Sequence, residues 1–159
     1  MSQVTLPLTD DAGRAIELDE PAAYLHPVRV LEHDVDGLGH ANNAVYPRWM
    51  DEAAYAHSAA VGYDWARYQQ IGAAFVVRRH EIDYLGMALP GDRLIAATWP
   101  TEMERVTAWR RYQIVRLSDG ETLVRALTRW VWLDLERGRP RRIPAEVIEA
   151  FGCAGRAAR

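Results

Sequence analysis

Residues 34–46 read Asp34-Val35-Asp36-Gly37-Leu38-Gly39-His40-Ala41-Asn42-Asn43-Ala44-Val45-Tyr46. The stretch gathers two carboxylates, a histidine, two carboxamides and a phenol. Asp36-Gly37 followed by Gly39 is a turn signal. Asn42 and Asn43 offer N-cap side chains, and Pro47 is tolerated only in the first turn of a helix. A helix is therefore predicted from about Asn43 to Val61, with Gly62 as its stop. Tyr46, Trp49, Met50, Ala53, His57 and Ala60 fall on one face, and Arg48, Asp51, Glu52, Tyr55 and Ser58 on the other. The stretch is thus a turn feeding a helix N-terminus. Free backbone N–H groups there, aided by the macrodipole, can stabilise an oxyanion. A carboxylate beside them can attack a carbonyl or activate water. The glycine spacing is not that of a phosphate-binding loop.

Upstream, Tyr24 to Val35 alternates loosely and reads as the first main strand. Residues 1–20 read as a polar N-terminal arm with a short strand at Arg14 to Leu18. Downstream, a shorter helix is predicted over Asp64 to Gln70 and strands over Ala74 to Tyr84, Arg93 to Thr101, Arg105 to Leu117 and Glu121 to Leu135. Ala88-Leu89-Pro90-Gly91-Asp92 is a turn, and Asp119-Gly120 is a hairpin signal. Val124, Ala126, Trp130 and Trp132 share a strand face that only Thr128 interrupts. An amphipathic helix from Pro144 to Phe151 closes the pattern. One strand, one long helix and then four strands in a meander make an α+β architecture. Residues 21–152 form a single domain in this reading, and 153–159 a C-terminal tail.

The chain has 159 residues, 49% apolar and 26% charged, with a net charge of -3. These values suit one globular domain and lack the basic excess of a nucleic-acid binder. All 19 basic residues are arginine, which reads as a compositional bias over the whole chain. The one cysteine, Cys153, sits among Gly and Ala in an apparent tail; an internal disulfide is impossible and a zinc cluster needs more ligands. No segment reads as a membrane span, and the acidic N-terminus lacks the apolar core of a signal peptide. The expected location is the cytoplasm.

The central stretch resembles hotdog-fold thioesterases of the 4-hydroxybenzoyl-CoA thioesterase type, many of which carry Asp-x-Asp-x-x-Gly-His-x-Asn-Asn-x-x-Tyr before the central helix. Asp34, Asp36, Gly39, His40, Asn42, Asn43 and Tyr46 match it position by position. Asp83-Tyr84 followed by Leu89-Pro90-Gly91-Asp92 resembles the family's next strand-turn-strand segment. The resemblance implies an antiparallel sheet of about five strands wrapped around one long central helix. It implies hydrolysis of a small or medium acyl-CoA, with Asp36 as nucleophile or general base. It maps carbonyl polarisation to the backbone N–H of Asn43, and a proton-transfer or bracing role to His40. Asn42, Tyr46 and Trp49 become candidate substrate-binding residues. The resemblance also implies a site between subunits of a homodimer or homotetramer, with no metal or other cofactor. The Gly-His-x-Asn-Asn segment points away from the 4-hydroxybenzoyl-specific branch.

The same residues carry plainer readings. Asp36 can be a turn former bonded to its own backbone, Asn42 and Asn43 caps, and Tyr46 a core residue. Asp34 reads as structural, fixing the turn or pairing with an arginine. Glu52 falls on the solvated face, and His57 reads as a core or interface histidine. Sheet packing accounts for the six tryptophans. Arg78, Arg79, Arg110 and Arg111 read as exposed strand positions. Two other functions stay open: hydrolysis of acyl carrier protein thioesters, and a non-catalytic acyl-CoA-binding module.

Overall fold

The computed structural model describes residues 7–153. Five strands form one antiparallel sheet: β1 (Tyr24–Arg29), β2 (Ala73–Tyr84), β3 (Arg93–Glu104), β4 (Thr107–Arg116) and β5 (Thr122–Asp134). Three α-helices accompany them: α1 (Val45–Ala60), α2 (Trp65–Ile71) and α3 (Ala145–Ala150). The class is α+β, as expected.

The sheet order is β1-β3-β4-β5-β2, which corrects the expected meander. Only β3, β4 and β5 run as consecutive hairpins. β2 lies on the far edge beside β5. The reason is the eight-residue link Leu85–Asp92, too long for a tight hairpin loop. Leu85 and Gly86 N–H both donate to the Leu123 carbonyl, which carries the link past the end of β5.

The first strand ends at Arg29 rather than Val35. Asp34 closes a 3-10 turn over Glu32–Asp34, and its carboxylate takes the Leu31 N–H at 2.9 Å. Proline sits where pairing allows it. Pro27 lies on an edge strand, and Pro100 lies beyond Thr98, where β3 loses its β1 neighbour.

α1 begins at Val45, two residues later than expected, because Asn42 Oδ1 accepts the Ala44 N–H at 2.9 Å in a turn ahead of the helix. Its buried face is Tyr46, Trp49, Met50, Ala53, Ala54 and Ser58. This packs against Leu94, Ala96, Tyr112, Ile114 and Val124 of the sheet. Ser58 and Ala60 exchange their expected faces: Ser58 is buried, donating to the Tyr63 carbonyl at 2.7 Å and bonding the Tyr68 hydroxyl, while Ala60 is exposed. On the opposite sheet face, Ile95 and Val115 pack with Leu8, Ile16 and Leu18 of the N-terminal segment. A second cluster joins Tyr63, Tyr68, Trp132, Val147 and Phe151. Cys153 belongs to it and is only 3% exposed, so the expected loose tail does not start there. Residues 154–159, the rest of that tail, lie outside the described residues. Among the described residues no helix is long and apolar enough to cross a membrane.

Candidate active site

The loop between β1 and α1 is built on Asp34. Its buried carboxylate accepts the Leu31 N–H and the Arg48 guanidinium, the latter at 2.5 Å, and its carbonyl accepts the Asn42 N–H at 2.8 Å. One residue thus joins the strand end, the loop's return and the first turn of α1. Both structural roles considered for Asp34 are present together.

From that base the loop projects as a short excursion. Val35 and Ala41 form an antiparallel bridge, and the Asp36 N–H donates to the His40 carbonyl at 3.1 Å. The Gly39 N–H returns to the Asp36 carbonyl at 3.0 Å. Gly39 has φ +82°, a left-handed conformation that glycine adopts without a Cβ penalty. The partly exposed Asp36 accepts the Leu38 N–H on Oδ1 at 2.9 Å. That is the bond expected of a turn former. Among the described residues nothing bonds Oδ2, so one carboxylate oxygen remains for chemistry.

His40 Nδ1 lies 3.2 Å from the Ala41 carbonyl. A carbonyl only accepts, so Nδ1 carries the proton and Nε2 is a lone pair in the neutral ring. The ring is braced, and it can donate a proton through Nε2 only when charged. Asn42 uses its side chain on the Ala44 N–H, and its carbonyl takes the Val45 N–H at 2.9 Å. The exposed Asn43 differs: its N–H has no hydrogen bond among the described residues. Its carbonyl is held by the Tyr84 hydroxyl at 3.0 Å. Tyr84 was legible only as part of the Asp-Tyr segment, with no role of its own.

Tyr46 and Trp49, candidates for substrate contact, are core residues, each 1% exposed. Their rings meet edge to face at 4.9 Å, and the Tyr46 hydroxyl accepts the Ala88 N–H at 3.3 Å. The helix-start geometry turns both toward the sheet, so they back the loop. Exposed apolar residues surround it instead: Leu38, Tyr84, Leu85, Met87 and Leu89.

A cavity of about 240 Å³ opens along the second half of α1. It begins at Asp51, about 9 Å along the helix axis from Val45. Its walls are largely aromatic, among them Trp65, Phe75, Trp109, Trp130 and Phe151. Arg110 also lines it and is 6% exposed, correcting the expectation of a solvated strand position. The missed signal was the two-residue period: Ala108, Arg110, Tyr112 and Ile114 share the buried face of β4. Arg110 Nη1 donates to Thr98 Oγ1 and to His57 Nδ1, each at 3.1 Å.

Burial, and then the Arg110 charge, hold the His57 pKa down to about 4 from 6.5. Between these values the unfolded chain binds a proton that the folded chain does not. Stability is therefore full above pH 6.5 and is lost as pH falls toward 4, by roughly 3 kcal/mol at most. His57→Gln keeps an acceptor for Arg110 and removes the titration. Denaturant midpoints at pH 7 and pH 4.5 are expected to lie closer together in this variant than in the native protein; an equal gap in both would rule out His57 as the source.

Comparison with known proteins bears on this geometry. The family described as the thioesterase-like superfamily matches residues 30–151. A chloroplastic acyl-acyl carrier protein thioesterase of Arabidopsis thaliana, ATL2, is 26% identical over 125 residues, covering 79% of this chain and 66% of the relative. A second, ATL3, is 23% identical, so the chain spans about two thirds of the curated relatives it matches. Among solved structures, a thioesterase superfamily protein from Jannaschia sp. CCS1 superimposes with a TM-score of 0.78 at 22% identity, covering 86% of this chain and 95% of that one. Slr0204, a 1,4-dihydroxy-2-naphthoyl-CoA thioesterase from Synechocystis, gives a TM-score of 0.74 at 20% identity, covering 86% and 99%.

Proposed function

Because the chain belongs to the thioesterase-like superfamily and is a thioester hydrolase, we propose that it cleaves an acyl-CoA with Asp36 as the essential carboxylate. In this reading residues 21–152 form one hotdog domain with α1 as its central helix. It belongs to the branch marked by Asp34, Asp36, Gly39, His40, Asn42, Asn43 and Tyr46. It works in the cytoplasm as a homodimer or homotetramer, with the site between subunits.

One observation carries the reading: a partly exposed carboxylate with an unbonded oxygen, in the loop that leads to an unpaired N–H at the helix start. The carbonyl oxygen of the thioester accepts the Asn43 N–H. Asp36 Oδ2 takes a proton from water as the water oxygen bonds the carbonyl carbon. The tetrahedral intermediate collapses, the C–S bond breaks, and the proton held by Asp36 passes to the leaving thiolate, with His40 Nε2 beside the loop to relay it. Direct attack by Asp36, giving a mixed anhydride that water then opens, uses the same groups. Asn42 sets the turn that exposes the Asn43 N–H. Tyr46 and Trp49 support the site from behind.

Release of CoA thiol from short, long, branched and aryl acyl-CoAs tests the reading. Hydrolysis of at least one class by a folded oligomer is expected; none on any member would overturn it. The curated relatives, named as acyl-acyl carrier protein thioesterases, favour a second substrate form. The apolar residues around the loop could meet a protein carrier as readily as a pantetheine arm. A higher kcat/KM on the carrier protein thioester than on the matched CoA thioester would establish that form.

A further inference from the structure

Between the Ala41 N–H and the Ala44 N–H, all but one of the backbone polar groups have a bonded partner. The Ala41 N–H donates to the Ala88 carbonyl and the Asn42 N–H to the Asp34 carbonyl, each at 2.8 Å. The Ala41 carbonyl accepts His40 Nδ1, the Asn42 carbonyl accepts the Val45 N–H, and the Ala44 N–H meets Asn42 Oδ1. The Asn43 carbonyl accepts the Tyr84 hydroxyl at 3.0 Å. The group left over is the Asn43 N–H, which has no hydrogen bond among the described residues. Backbone donors are paired as a rule, so one left open at a surface is open to water or to a ligand.

Tyr84 differs from the other partners. Asp34, His40, Asn42 and Val45 belong to the loop or to the helix it feeds, and Ala88 offers a backbone carbonyl. Tyr84 brings a side chain from another strand, 41 residues along the chain. Its place is fixed on two sides. It ends β2 in register with Val124 of β5, and its ring meets the core residue Tyr46 edge to face at 5.4 Å. Burial pushes its phenol up from 10, so the donated proton is in place at neutral pH. The hydroxyl holds the carbonyl end of the Asn43–Ala44 peptide, and Asn42 Oδ1 holds the N–H end. That plane adjoins the one that carries the free N–H.

We infer that Tyr84 is a positioning residue for the thioester site: it clamps the Asn43–Ala44 peptide so that the free Asn43 N–H keeps one direction for the substrate carbonyl oxygen. The kinetic role rests on the proposed thioester hydrolysis; the hold on the peptide does not. Without the hydroxyl the plane is held at one end only, and Asn43 gains freedom about its own Cα. An oxyanion donor acts by being aimed before the charge develops. Complete loss of such a donor costs about 100- to 1,000-fold in kcat. A donor that is present but loosely aimed should cost about 10-fold.

Tyr84→Phe keeps the ring against Tyr46 and removes only the hydroxyl. Two measurements on the full chain separate the kinetic role from the hold. In the first, thiol release from the acyl-CoA that the native protein cleaves fastest is followed in both proteins. The variant's kcat is expected to fall about 10-fold, with KM within about 2-fold of native. Its melting temperature should stay within about 4 °C, because Asn43 is exposed and water takes the place of the hydroxyl. In the second, backbone amide spectra of isotope-labelled native and Tyr84→Phe proteins are compared without substrate. The Ala44 nitrogen, which senses hydrogen bonding to the carbonyl before it, should shift, and the Asn43 amide should shift or broaden. The Leu38 amide, bonded to Asp36 in the same loop, should stay in place as the check on folding. Moved Asn43 and Ala44 amides without turnover of any thioester by the native protein would uphold the hold on the peptide and count against hydrolysis. Unmoved amides, a kcat within about 2-fold of native, or a loss that KM and melting temperature share would overturn the inference.

Discussion

Asp36→Asn is expected to lower kcat/KM by about 100-fold or more, close to 3 kcal/mol of transition-state stabilisation. The substitution keeps shape and leaves an amide oxygen to accept the Leu38 N–H at 2.9 Å, so the turn persists. What it removes is the charge on Oδ2, on which both general-base and nucleophilic routes depend. The loss should lie mainly in kcat, because in the proposed mechanism the carboxylate acts on the reacting carbon and contributes little to holding the substrate. Thiol-release kinetics, with denaturant midpoints of both proteins, check this. A folded Asp36→Asn protein that keeps more than a tenth of native activity would remove Asp36 from the mechanism, leaving it the turn former that its own backbone bond makes it.

Asp34→Ala should give the opposite pattern, a large loss of stability with activity falling as a consequence. The carboxylate is 2% exposed and holds both Leu31 N–H and Arg48. Its loss orphans a backbone donor and unpins the base of the loop. Arg48 is about half exposed and has Glu52 within 3.7 Å, so its charge is not stranded. That moderates the expected cost to about 2–4 kcal/mol. For a domain of this size the melting temperature should drop by roughly 5–12 °C. A variant that melts with the native protein would show that the loop is held by its backbone bridge alone. The two neighbouring aspartates, alike in sequence, are thus expected to separate cleanly: one reads out in kcat, the other in Tm.

Local chemistry made much of this protein legible before its fold was known. The Asp36-Gly37 turn, the Asn42 bond into the helix start, the Gly62 stop and the Asp119-Gly120 hairpin are decided within a few residues, by φ preference and by side chains that reach only their own backbone. The helix and strand periods likewise announce themselves, because one buried face imposes its spacing on the sequence. These placed α1 and β2 to β5 to within three residues, overran β1 by six, and placed Asp36, His40 and Asn43 in one loop. They could not say which strand stands beside which. β2 was expected next to β3 and lies beside β5, because the path of Leu85–Asp92 depends on where the Leu123 carbonyl is, almost forty residues away. Helix spacing had put Tyr46 and Trp49 on the apolar face, and the fold decided between the two readings of that face in favour of core packing.

Arg110 marks the boundary most sharply. By residue type an arginine on a strand belongs to water, and only the assembled sheet, with Phe151 of the C-terminal segment over it, makes it a buried cation at a cavity wall. The sequence by itself determined the turn, the helix start to within two residues and the place of Asp36 in the loop between them, since each is a short-range matter of backbone geometry. Tertiary structure alone decided the strand order, the choice between core packing and substrate contact for Tyr46 and Trp49, and the burial of Arg110 at the cavity wall. Burial and pairing across the sheet are properties of residues far apart in the chain.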